Sequence, residues 1–97
     1  MRFMNVKLPV IFLKEGSKFI AYTPALDIST CGETFEESKK KFEELVDIFF
    51  EEVEKMGTLK DVLTECGWEK LRKPKDGWMP PRIISQMEET FKVPCHV

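Results

Sequence analysis

The sequence predicts an α+β fold, an antiparallel sheet of three to four strands packed by one long and one short helix in the order β-β-β-α-α-β. Three observations predict it. Apolar residues alternate with polar ones near the start of the chain, the apolar period changes to that of a helix after Thr34, and glycines at 57 and 67 punctuate the second half of the chain.

From Met4 to Phe12 the even positions Met4, Val6, Leu8, Val10 and Phe12 are all apolar, while Asn5 and Lys7 lie on the other face. That is the pattern of a strand covered on one side. Pro9 has no N–H to give to a ladder, which places this strand at an edge or gives it a bulge. Lys14-Glu15-Gly16-Ser17 supplies a short polar turn, and Phe19, Ile20, Ala21 and Tyr22 resume an extended pattern, so the two strands form a hairpin. Pro24 closes the second strand, and Ile28 to Cys31 suffices for a third before the turn at Gly32.

Thr34 and Glu37 have the spacing of a capping box, in which hydroxyl and carboxylate satisfy backbone donors at a helix start. A helix therefore begins at Phe35. Its apolar positions Phe35, Phe42, Leu45, Val46, Phe49, Phe50, Val53 and Met56 form one broad stripe. Glu36 to Lys40, Glu37 to Lys41 and Glu51 to Lys55 are favourable pairs outside it. Gly57 suits a left-handed cap. Thr58, with Asp61 completing a second box-like cap, opens a short helix through Leu59, Val62 and Leu63 that Gly67 ends.

Beyond Gly67, "WEKLRKPKDGWMPPRIISQ" holds three prolines and five basic residues and reads as an ordered but irregular connector. Arg82 to Gln86 and Phe91 to Val93 are expected to be extended, returning the chain to the sheet as a last strand. The expected organisation is one domain over residues 1–97, with its core in 3–67 and the connector and last strand in 68–97. No internal repeat is present.

At 97 residues a single domain buries roughly 60 to 65% of the surface its unfolded chain exposes, so the core will be thin. With 42% hydrophobic and 33% charged residues the chain is of globular composition, and no run of about 18 apolar residues exists that could span a bilayer. The first residues are basic and then apolar, but alternation and Pro9 interrupt the run and no small-residue cleavage site comes after it. This predicts no signal peptide and a cytoplasmic protein. Cys31, Cys66 and Cys95 are odd in number and far apart, which fits reduced thiols. The net charge of -2 is uneven, since nine acidic residues between Glu33 and Met56 face only four lysines. Such asymmetry can mark a docking face for a basic partner or simply a solvated helix.

Three stretches carry a family likeness. Pro24-Ala25-Leu26-Asp27 comes after the hairpin, Gly32-Glu33-Thr34-Phe35-Glu36-Glu37 opens the long helix, and Met56-Gly57, Thr58-Leu59 and Gly67-Trp68 succeed it in turn. In order and spacing, residues 7 to 68 resemble the HicB family of antitoxins. The resemblance implies a partial ribonuclease H-like sheet with its helix, without nuclease activity. It also implies a partner, the small basic ribonuclease toxin HicA, whose active surface the antitoxin covers. Where the family commonly has alanine after the capping glutamate, this chain has Ser38, also small. Many members add a DNA-binding domain, but Pro74, Pro80, Pro81 and Pro94 leave no room after Gly57 for two recognition-type helices. No direct DNA binding is expected.

Chemistry has little to work with. In an extended stretch Asp27, Ser29 and Cys31 share one face, and the single histidine, His96, lies far away in sequence, so paired acid and base groups are lacking. Asp27 is read as hydrogen-bonding backbone donors in the turn after Pro24. Cys31 precedes a helix start but has no base beside it, and Cys66 reads as a small core residue. Cys95-His96 lacks the paired spacing of a zinc site. No cofactor, metal or catalytic residue is assigned.

The candidate protein-binding residues are Tyr22, Asp27 and Thr30 on the strand-turn stretch, Glu43, Glu44, Asp47 and Glu51 on the acidic helix, and Trp68, Arg72, Trp78 and Arg82 on the connector. Tryptophan and arginine are enriched among interface anchors, although both indoles could equally pack over the sheet end. Eight phenylalanines exceed what a thin core readily hides, which predicts a homodimer or larger assembly. The expected function is that of a HicB-like antitoxin, or a solitary relative of one, that neutralises a HicA-type toxin. The alternatives are a thiol-dependent enzyme and a stand-alone oligomer that binds a small ligand.

Overall fold

A type II′ turn organises the first half of the structure, a computed structural model that describes residues 3–72 and 77–95. Gly16 takes φ 60° at the first turn position, which type II′ reserves for glycine, and so joins β1 (Ile11–Glu15) to β2 (Lys18–Thr23) as a two-residue hairpin. Ile11 pairs with Tyr22, Leu13 with Ile20 and Glu15 with Lys18. β2 then pairs antiparallel with β3 (Ile28–Gly32), Tyr22 opposite Ser29 and Ile20 opposite Cys31. The sheet order is β1-β2-β3, so β1 and β3 are both edges.

The turn between β2 and β3 works differently from expectation. Asp27 is the only non-glycine described residue at positive φ, 54°, and its N–H donates to the Thr23 carbonyl at 2.9 Å. It is Thr23, fully buried, whose hydroxyl accepts from the Ala25 N–H at 3.2 Å. The Asp27 carboxylate accepts instead from the Tyr22 hydroxyl at 3.0 Å.

α1 (Phe35–Lys55) starts where the capping box places it. Thr34 Oγ1 accepts from the Glu37 N–H at 3.0 Å, while the Glu37 carboxylate reaches one residue further back, to the Glu33 N–H at 3.3 Å. Of the anticipated pairs Glu37–Lys41 forms, at 3.1 Å; Lys39–Glu43 forms as well, and neither Glu36–Lys40 nor Glu51–Lys55 is among the ion pairs of the described residues. Ser38 is fully buried and donates to the Phe35 carbonyl at 2.8 Å. A side chain on Gly32 would place its Cβ 2.6 Å from the Ser38 nitrogen, so sheet and helix meet there with no room for one.

Both helices end alike. Gly57, φ 69°, gives its N–H to Glu54 and Thr58 gives its own to Val53; Gly67, φ 88°, bonds Thr64 and Trp68 bonds Leu63. These are Schellman pairs, and at the end of α2 (Leu59–Glu65) the motif folds Trp68 back over Leu63. Thr58 makes no side-chain cap bond, so the second capping box does not form.

The core gathers Ala25, Leu26, Leu63 and Trp68, with Val6, Leu8, Val46, Phe49 and Phe50 packed around them. Phe50 and Trp68 meet edge to face, with ring centroids 6.2 Å apart.

Two expectations about strands are corrected. Residues 3–10 form no ladder and the first strand begins only at Ile11, although Val6 and Leu8 do pack on the core. Residues 80–95 contain no strand either, so neither Arg82 to Gln86 nor Phe91 to Val93 returns to the sheet. The strands after α2 are instead β4 (Glu69–Leu71) and β5 (Gly77–Met79), which form a separate antiparallel pair. No helix of the described residues is long and apolar enough to cross a membrane.

Candidate interaction surface

The helix supplies the most charged surface. At about 100° per residue, Glu36, Glu43, Asp47, Glu51 and Glu54 fall within about 80° of one another on α1, and all five are exposed. Glu43 is held by Lys39 at 3.1 Å. Among the described residues, Asp47, Glu51 and Glu54 have no ion-pair partner. Glu43, Asp47 and Glu51 succeed one another at i,i+4, where like charges repel by about 0.2–0.5 kcal/mol per pair. Glu44 is also exposed, beside the stripe.

The stripe borders an apolar groove. Asp47, Glu51, Glu54 and Lys55 rim an open hollow of about 770 Å³ whose floor is Met4, Val6, Phe50, Leu59 and Trp78. Two elements far apart in sequence close it. The Met4 sulfur accepts from the Trp78 N–H at 3.3 Å, and Gly77 lets it approach, since a Cβ there would lie 3.0 Å from that sulfur.

Of the candidates on the connector, Trp68 is corrected to a core residue. It is 5% exposed, and its indole N–H donates to the Ala25 carbonyl at 2.7 Å, so its polar group is used within the chain while its ring lines the groove from the core side. Trp78 is half-buried under the Lys70 ammonium, 5.9 Å from the ring centroid. Arg72 is exposed and shares a second hollow, of about 550 Å³, with Lys60, Thr64 and Lys70. Arg82 lies apart in the extended stretch after β5, also exposed.

The strand-turn candidates divide between two faces. Ala21, opposite Phe12 and Thr30, is fully buried on the side that α1 covers, where the Phe12 and Phe35 rings stand 4.6 Å apart. Thr30 therefore faces the helix. Tyr22 faces the other way, with Ile11, Leu13, Ile20, Ser29 and Cys31. This uncovered face leaves Leu13 52% exposed and Cys31 exposed. Neither the apolar open face nor the Met4 contribution to the groove was anticipated; the unbroken apolar run from Val10 to Leu13 was the available signal, because a strand apolar at consecutive positions is apolar on both faces.

Electrostatic shifts arise from these contacts. The hydrogen bond to Asp27 holds the Tyr22 phenol above its usual range. Lys18, paired with Glu33, is raised by that bond, and Glu37 is lowered by Lys41. Burial pushes the Cys66 thiol up, away from the thiolate a nucleophile needs. Among the described residues no group of histidine, cysteine and carboxylate side chains could hold a metal ion. His96, and with it the Cys95-His96 pair, lies outside the described residues.

No protein-family model, curated protein or solved structure matches the chain.

Proposed function

We propose that this protein is an antitoxin-like inhibitor that acts by occlusion and without turnover, covering the surface of a small basic RNA-cleaving protein of the HicA type in the cytoplasm. The observation that carries the reading is the exposed carboxylate stripe of α1 bordering the apolar groove under Trp78. Carboxylates repeated at helical spacing cost the helix a little stability and attract a cationic surface. An apolar floor beside them offers what tight interfaces use at their centre, a desolvated pocket for one or two anchoring side chains. Charge would speed encounter, and the groove would slow release. A nuclease that binds RNA must itself present cations, so a protein with this surface competes with phosphate for the same groups. For the same reason DNA is not the ligand of α1, because its exposed face repels phosphates.

The test is reconstitution with a short basic protein encoded beside this one. Purified protein added at equal amounts is expected to form a complex visible by light scattering and to abolish cleavage of a generic RNA. Unimpaired cleavage in the presence of excess protein would reject the reading.

A further inference from the structure

The segment after β5 has the residue pattern of a strand and pairs with none of the described residues of its own chain. Residues 80–95 carry no helix, strand, turn or bend, and Ile84 is 97%, Met87 77%, Phe91 76% and Val93 78% exposed. In extended chain the odd positions Ile83, Met87, Phe91, Val93 and Cys95 share one face, interrupted by Ser85 and Glu89, while Arg82, Gln86, Glu88, Thr90 and Lys92 share the other, interrupted by Ile84. That is an amphipathic strand without a sheet. Pro80-Pro81 stiffens its exit from the body. The radius of gyration is 16.6 Å, against about 12.5 Å expected of a compact domain of this length, and the long dimension reaches 56 Å.

The sheet has a place for it. The two-residue turn makes Glu15 and Lys18 a hydrogen-bonded pair, so along β1 the pairs at Leu13 and Ile11 also face β2, and Phe12 and Lys14 turn their N–H and C=O groups outward. The opposite edge is guarded, since Lys41 donates to the Cys31 carbonyl at 3.5 Å and the start of α1 closes on Gly32. Of the two edges of the three-stranded sheet, β1 is the one that combines outward backbone groups with apolar neighbours, Ile11, Phe12 and Leu13.

We propose that residues 83–93 of one copy add as a strand to the free β1 edge of a second copy, reciprocally, so that two chains form a closed dimer by exchanging arms. Both halves of the contact are present on every chain, which is the self-complementarity a two-fold dimer requires. An arm on a stiffened exit, exposed and without a ladder to the described residues of its own sheet, is available to another molecule's edge. The inference is independent of the role proposed above, because it uses neither the acidic stripe nor the groove.

The test compares the full chain with the variant Met87→Asp, Phe91→Asp, Val93→Asp. All three residues are exposed in the single chain, so the fold should survive. Light scattering is expected to give a dimer for the parent and half that mass, 11.4 kDa, for the variant. Hydrogen exchange should show the Phe12 and Lys14 amides protected in the parent and released in the variant. A parent that stays monomeric at high concentration overturns the proposal, as does a dimer that the variant retains. So does protection of those amides in a monomer, which would mean the arm folds back onto its own strand.

Discussion

Two side chains fix the turn region, and each can be probed alone. Trp68 joins α2 to the β2–β3 turn through a single bond from its indole to the Ala25 carbonyl, at a site 5% exposed. Trp68→Phe keeps most of the apolar area but leaves that carbonyl without a donor. A buried acceptor without a partner costs about 1–3 kcal/mol, and urea unfolding should show a loss in that range. No loss would mean that water reaches Ala25. Tyr22 is the single tyrosine, so an ultraviolet alkaline titration reads it without interference. Its O–H donates to Asp27, which raises the phenol above its usual value by favouring the protonated form. A raised folded-state pKa means that the stabilisation is whole below the ordinary phenol range and is lost as pH climbs through the raised value. Asp27→Asn, which tolerates the left-handed backbone but lacks the charge, should bring the Tyr22 midpoint down. A midpoint the variant leaves unmoved would dissociate the two groups. Asp27 was legible in the sequence as a turn residue, but its partner was not, because turn propensity describes the residue's own backbone and says nothing of which hydroxyl stands five residues away.

At the level of elements, helix ends were legible and strand ends were less so. Thr34, Glu37, Gly57 and Gly67 are local signals whose partners lie within four or five residues, and the structure uses all of them. Strand signals are different in kind. Alternation from Met4 to Phe12 reflects one buried side, which Val6 and Leu8 do bury, but burial does not supply a hydrogen-bonding neighbour. The arm after Pro81 repeats the lesson, with an alternating pattern and no ladder in its own chain. β4 and β5 span only three residues each, too short for period to announce them. One element contact can be tested directly. Gly32→Ala would push a methyl carbon to 2.6 Å from the Ser38 nitrogen, against backbone that cannot swing aside. Overpacking of this kind costs typically about 1–3 kcal/mol, so the melting temperature should fall by several degrees. Thr34→Ala, which removes only the cap, should cost about 1 kcal/mol. An alanine at 32 that leaves the melting temperature unchanged would show that α1 can slide on the sheet.

For the molecule as a whole, charge was legible in the sequence and the groove was not. Nine acidic residues clustered between Glu33 and Met56 are visible by counting, whereas a floor made of Met4, Phe50, Leu59 and Trp78 joins residues as much as 74 positions apart. The two features separate in an experiment because they act on different rates. Long-range attraction raises the rate of encounter and is screened over about 10 Å at 0.1 M salt, while packing in a groove governs release. Replacing Glu43, Glu44, Asp47 and Glu51 together with lysine removes the attraction and leaves the core side of α1, with Phe42 and Val53, in place. Circular dichroism should confirm that helix content is kept. Association with the basic partner should then slow by on the order of tenfold or more at low salt, with a much smaller change in dissociation. Rates of parent and variant should converge as salt rises, since screening removes from the parent what substitution removed from the variant. Met4→Ser, at a floor residue that is 47% exposed, would do the reverse, leaving encounter fast and making release faster. If the lysine variant associated as quickly as the parent at low salt, the helix would not lie in the interface, and the open sheet face around Tyr22 and Leu13 would be the surface that meets the partner.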